Sequence, residues 1–350
     1  MAYISFQPTD FFNTKLYTGD ASTQAVTGVG FAPNMIWIKN RSASGDHSLY
    51  DTPRGVTKCI IPNGNDEEQT YATGLTAFGS DGFTVGSQAI VNGSGNNIVS
   101  WNWKMGTTSG LSGGTITPSA YSIDATRKQG VYAYTGNGTG GATFAHGLGT
   151  APHMVIVKNL TTGGDFWNVN FPFTSLGSTG RLYLNDPGAN SAAAAAWNST
   201  VPTSTLITLG SNGEVNGSSK SMIFYAFAPV KGYSSFGEYE SNANANGPFI
   251  YTGFKPAFVL IKNIDRSEAW NIWDNKRNTP VGSKNAAYTV LEANSNAAET
   301  NGSTGQVIDM LSNGFKIRTT STEINHSTCV YAAFAEFPLV SSNSKAGVAR

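Results

Sequence analysis

The sequence predicts an all-β protein of three tandem antiparallel β-sandwich domains, jelly-roll-like in type, on three observations. A phrase made of a turn and an apolar run occurs three times, as GFAPNMIWIKN at 30–40, GTAPHMVIVKN at 149–159 and GFKPAFVLIKN at 253–263. Forty glycines, with clusters of Ser, Thr and Asn between short apolar runs, supply the tight turns that many strands require. The anchoring prolines, Pro33, Pro152 and Pro256, stand 119 and then 104 residues apart, too far for a solenoid repeat and suited to a whole domain.

In each phrase Gly-x-x-Pro sets a turn, since proline fixes φ and cannot donate to a ladder, and the β-formers that follow alternate across a sheet. Ile36 and Ile38 face one way and Met35 and Trp37 the other, so this strand is expected to be central and covered on both sides. Next come strands that reach Asn63, Asn185 and Asn294 before a turn or short helix, the alanine run 192–196 belonging to that variable element. FGSDGFTV at 78–85, TLGSNGEV at 208–215 and MLSNGFKI at 310–317 read as strands meeting at a polar-Gly turn. Asn92, Asn216 and Asn325 then precede a closing strand whose aromatics, Trp101 and Trp103, Tyr225 and Phe227, and Phe334, are expected in the core. The resulting division is an N-terminal docking segment (1–15), repeat 1 (16–105), a Gly/Ser-rich linker with a lead-in strand (106–130), repeat 2 (131–235), repeat 3 (236–340) and a tail (341–350). The apolar Ile4, Phe6, Phe11 and Phe12 of the first segment are expected to dock on a neighbouring subunit or particle.

Charged residues are only 13% of the chain, with 22 Lys plus Arg against 22 Asp plus Glu, so no charged face is expected to hold nucleic acid or an anionic membrane. No run approaches the roughly 18 apolar residues of a membrane helix, and the N-terminus lacks the pattern of a signal peptide. A soluble protein, without membrane insertion, is expected. Cys59 and Cys329 lie in apolar strand-like runs and read as reduced core residues. GLSGG at 110–114 lacks the strand and helix of a nucleophile elbow, and GNGTGG at 136–141 precedes no helix that could bind a pyrophosphate. His47, His146, His153 and His326 have no metal-ligand spacing. No catalytic residue, metal or cofactor is therefore expected. Asp51 with Arg54, and Asp274 with Arg277, occupy equivalent places in repeats 1 and 3, where repeat 2 has FPFTS; they read as turn-stabilising ion pairs or as a ligand site that repeat 2 lacks. For glycan stacking, the candidates are Trp167, Trp197 and Trp270, of which Trp197 is expected to be the most exposed and the other two are expected in core packing.

The set of stretches YTGDASTQAVTGVGFAPNMIWIKNR, LYDTPRG, LTAFGSDGFTVGS, SWNWK, AHGLGTAPHMVIVKN, KGYSSFGEY, YTGFKPAFVLIKN, MLSNGFK and YAAFAEFP resembles a family of tandem β-domain proteins encoded by tailed bacteriophages, especially those of marine bacteria. The resemblance implies a non-enzymatic virion structural protein of tail-fibre or appendage type. Its expected partners are other virion proteins, further copies of itself in a homo-oligomer such as a trimer, and a host-surface glycan or receptor. A capsid decoration protein and a glycan-binding, lectin-like module are the alternatives.

Overall fold

The structure, a computed structural model, describes residues 5–277, 286–301 and 305–338; Ile4 and the tail 341–350 lie outside them. The β-branched and aromatic runs form strands, and every pairing between these strands is antiparallel and joins residues of one repeat. Each repeat builds an inner sheet in the order lead, closing, core and hairpin strand. These are Phe12–Thr18, Asn97–Trp103, Met35–Asn40 and Ser48–Asp51 in repeat 1. In repeat 2 they are Gln129–Thr135, Ser221–Phe227, Met154–Asn159 and Asn168–Asn170. In repeat 3 they are Ser234–Glu240, Thr328–Pro338, Phe254–Asn263 and Asn271–Asp274. A smaller outer sheet covers one face of each. The chain crosses between the two sheets from the lead strand to the outer sheet and back to the core strand, and the closing strand returns beside the lead strand. The hairpin strand stays beside the core strand in the inner sheet.

Side-chain alternation distributes the core. In repeat 1, Ile36 and Ile38 enter a local cluster under the outer sheet with Val26, Phe83 and Val85. Met35 and Trp37, on the opposite face, enter a second cluster to which all three repeats contribute, including Trp101, Trp103, Ile156, Tyr225, Phe227, Phe258, Leu260 and Phe334. Repeats 2 and 3 each have their own local cluster as well. The core strands are therefore covered on both sides, as their doubly apolar faces require. The three inner sheets share one central core.

Four local expectations are corrected. The Gly/Ser-rich stretch after residue 105 is not a loose linker: Thr107 bridges Ile123, Gly114 bridges Phe144 and Ile116 is buried, because the segment completes the edge of repeat 2. The N-terminal segment docks on its own chain. Phe12 begins the lead strand opposite Trp103, while the Arg127 guanidinium sits in the corner between the perpendicular rings of Phe6 and Phe11, 3.9 and 3.8 Å from their centres. TLGSNGEV contains no hairpin, because the Asn212 side chain accepts from the Glu214 N–H and starts a short helix, Gly213–Asn216; the outer sheet of repeat 2 is left with two strands. Pro256 lies inside its strand, at register shifts on both its sides, since it cannot donate to the ladder. Where the Gly-x-x-Pro turns do form, Gly30 and Gly149 stand at φ of 93° and 69°, a region that penalises any side chain.

Candidate functional site at the repeat junctions

The polar residues that recur in all three copies meet where one repeat touches the next. The first set is the residue before each hairpin strand: His47, Trp167 and Trp270. Each gives its backbone N–H to the side chain of the Asn in its own repeat, namely Asn63, Asn185 and Asn294, at 2.7, 2.9 and 2.8 Å. Each then points its ring nitrogen across the junction. Trp167 donates to the carbonyl of Ile61 at 3.0 Å, Trp270 to that of Tyr183 at 2.7 Å, and His47 to that of Glu292 at 3.0 Å. Those three carbonyls are equivalent, each two residues before the Asn. Repeat 2 thus reaches repeat 1, repeat 3 reaches repeat 2, and repeat 1 reaches repeat 3. The ring is closed, as head-to-tail contacts are when their rotation returns to the start.

The lysine before the final Asn of each repeated phrase follows the same path. Lys39, Lys158 and Lys262 are fully buried, and their ammonium groups donate to the carbonyls of Asn296, Asn65 and Pro187 in the adjoining repeat at 3.1, 3.1 and 3.0 Å. Those acceptors are again equivalent, two residues after the Asn. Further carbonyls complete each ammonium's bonding: Asn40 for Lys39, Asp165 for Lys158, and Asn263 and Arg266 for Lys262. Burial lowers all three lysines to about 8. A third set is purely backbone, from the N–H of Glu68, Asn190 and Glu299 to the carbonyls of Leu160, Ile264 and Arg41 at 3.0, 2.7 and 2.8 Å.

The acid–arginine pairs form a fourth set, and here the copies differ. Asp51 holds Arg54 at 2.7 Å within repeat 1 and accepts the Tyr225 hydroxyl of repeat 2 at 2.7 Å. Asp274 holds Arg277 and accepts the Trp101 indole N–H of repeat 1 at 3.0 Å. Burial alone would raise the Asp274 carboxyl; the Arg277 guanidinium overrides it and leaves the group below its ordinary value. By strand register, the third acid position is Phe171 and the third donor position is Ala332. Acceptor and donor are missing together, and both residues are buried in the central cluster. These pairs are built into the junctions, with Arg54 turned inward onto the carbonyls of Leu49 and Lys58, so they offer no open ligand site.

His47 has one more role. Its Nδ1 accepts from the Trp37 indole at 2.8 Å, which leaves the ring proton on Nε2 for the Glu292 carbonyl. Burial, and then the neighbouring charge of Lys39, push this imidazole well below its ordinary value.

The glycan-stacking expectation for the tryptophans is corrected. Trp167 and Trp270 have no exposed surface and Trp197 only 3%, so no indole face among them can meet a pyranose. Trp167 and Trp270 are junction donors, and Trp197 donates to the carbonyl of Gly180 at 3.1 Å from inside the local core of repeat 2. Cys59 and Cys329 are buried free thiols. GLSGG packs through the Leu111 N–H on the Tyr121 hydroxyl, and GNGTGG is held where Asn216 accepts from the Asn137 N–H. Among the described residues no group of His, Cys, Asp and Glu could hold a metal ion, and no helix is long and apolar enough to cross a membrane. The junction lysines escaped notice in the sequence, although a cation closing the same apolar run three times was a legible sign.

No curated protein and no solved structure matches the chain. Residues 7–338, spanning all three repeats, match a domain of unknown function, DUF7483, and the chain belongs to that family.

Proposed function

We propose that this protein is a non-enzymatic structural component of a bacteriophage virion, part of a tail fibre or appendage that contacts the host surface. The observation that carries the reading is the closed ring of three interlocked sandwiches. Its recurring polar groups are committed to holding the repeats together, and the outer sheets and loops are left as the working surface. The resemblance of the repeated stretches to phage proteins supports the same reading. So does the balanced, sparse charge, since uncompensated charge would set copies against one another in an assembly. Further copies of the chain, in a trimer for example, would have to meet through other surfaces, because the head-to-tail faces are occupied internally.

Immunogold electron microscopy of intact particles, with antibody raised against the full chain, tests the proposal. Gold on the tail or its fibres is expected, followed by blocked adsorption when host cells are treated first with the purified protein. Gold spread over the head would replace this reading by capsid decoration, and particles without gold would overturn both.

A further inference from the structure

The outer sheets distinguish the three repeats. In repeat 3 the edge strand Phe249–Tyr251 buries Ile250 and turns Phe249 and Tyr251 outward, 44% and 61% exposed. They are the only pair of large exposed apolar side chains on one strand face among the described residues; Val56, Phe173 and Val201 stand singly. Register places Ala25 and Thr27 of repeat 1 at the same two positions. Each ring lies by a residue without a side chain: the Phe249 ring comes within 3.2 Å of where a Cβ on Gly314, the residue opposite Tyr251, would stand, and the Tyr251 ring comes within 3.7 Å of the same point on Gly253. Lys316, opposite Phe249 and hence on the same face, donates to the carbonyl of Gly247 at 2.6 Å. That bond ties the loop SNANANGP, 241–248, to the border of the aromatic face. Asn242, Asn244 and Asn246 are exposed in this loop.

We infer that Phe249 and Tyr251 form a carbohydrate-binding platform, with the pyranose rings of a glycan stacked on the aromatic faces and their hydroxyls within reach of the carboxamides of the bordering loop. The extent of the patch favours this occupant over a protein. Two half-exposed aromatic side chains offer about 200 Å² of contact, whereas a stable protein interface needs about 800 Å² from each partner. Aromatic faces bordered by neutral amides suit a ligand that is apolar on its ring faces and hydroxylated at its edge. The inference rests on the host-contact reading for its biological setting and names the ligand class and repeat involved.

The test is affinity electrophoresis of the full chain through native gels containing laminarin, galactomannan, xyloglucan or dextran. Tyr251→Ala and Phe249→Ala are compared with Phe173→Ala, an exposed aromatic elsewhere, and unchanged thermal midpoints certify that the variants are folded. At least one polysaccharide is expected to retard the protein. Tyr251→Ala and Phe249→Ala should each weaken that interaction about tenfold, and Phe173→Ala should leave it intact. Absence of retardation by all four, or retardation unchanged in Tyr251→Ala, overturns the inference. So does a concentration-dependent dimer in sedimentation that Tyr251→Ala abolishes, since the platform would then bind a second copy. Gold on the tail with no sugar retention would leave the host-contact reading standing alone, and sugar retention with no gold on particles would leave the platform alone.

Discussion

Asn92, Asn216 and Asn325 do the same work in three places. Asn216 accepts from the Asn137 N–H and donates to Asn137, Thr139 and Gly210, so one buried carboxamide ties the loop after the lead strand to the turn before the closing strand. Asn216→Ala should cost about 2 kcal/mol in urea unfolding, because the Gly210 carbonyl loses its partner in a buried site and the Asn137 N–H and Thr139 carbonyl, in partly buried bonds, lose theirs with it. Burial lowers His146 and His153 as well, and His47 is the acid-sensitive residue placed at a junction. Its imidazole stays neutral in the folded protein well below the 6.5 of an unfolded chain, so the unfolded state binds the extra proton and stability falls as pH drops below about 6.5. Between pH 7 and 5 this group should remove about 2 kcal/mol. His47→Gln, less stable at pH 7, should show a flatter slope over that interval in denaturant midpoints.

At the scale of elements, each junction combines a ring nitrogen, a lysine and a backbone bond, and two of the three add a buried acid. Removing one partner of such an acid pair strands the other. Asp51→Ala, which takes the nearest carboxylate from Arg54, leaving it Glu68 at 3.3 Å, and the acceptor from the Tyr225 hydroxyl, should cost about 3 kcal/mol, measurable by chemical denaturation. The lysines give a signature at alkaline pH. Lowered to about 8 in the fold and near 10.4 when unfolded, they are deprotonated earlier in the folded state, so their contribution makes stability rise from about pH 8 toward pH 10. Above pH 10 the sign reverses, because buried Tyr225 and Tyr233 ionise with difficulty in the fold. Lys158→Met should reduce the rise between pH 8 and 10 by about a third, read from urea midpoints at the two ends.

At the scale of the molecule, the three repeats share the central core and form a ring. Three independent domains would unfold in separable steps, whereas sheets that bury one another's faces should unfold together. Heating should give a single transition, coincident by tryptophan fluorescence and far-ultraviolet circular dichroism. Deleting residues 236–350 should leave a chain that aggregates at room temperature, since it would expose the inner faces that Phe258, Leu260 and Phe334 now cover. A single chain also permits what three identical chains could not. Trp101, Tyr225 and Ala332 occupy equivalent positions, so large and small side chains can fill the common core in complement.

Strand identity, the three-fold recurrence and the doubly apolar core strands were legible because alternation and turn chemistry are local: Ile36 and Met35 declare opposite faces by adjacency alone. The polar-Gly turn at residue 213 was misread because Asn-Gly serves a hairpin and a helix cap equally well. Trp167 and Trp270 lie in the core as expected, but their partners were not legible, because an indole at residue 167 reads the same whichever carbonyl, more than a hundred residues away, its N–H will meet. Trp197, expected at the surface, is buried because the short helix Ala194–Trp197 packs it into the local core of repeat 2. By itself the sequence determined that this is a three-fold repeated all-β chain with reduced cysteines in its core. Only the tertiary structure decided that the copies close on one another, since a hydrogen bond from His47 to Glu292 joins residues whose proximity no local pattern encodes.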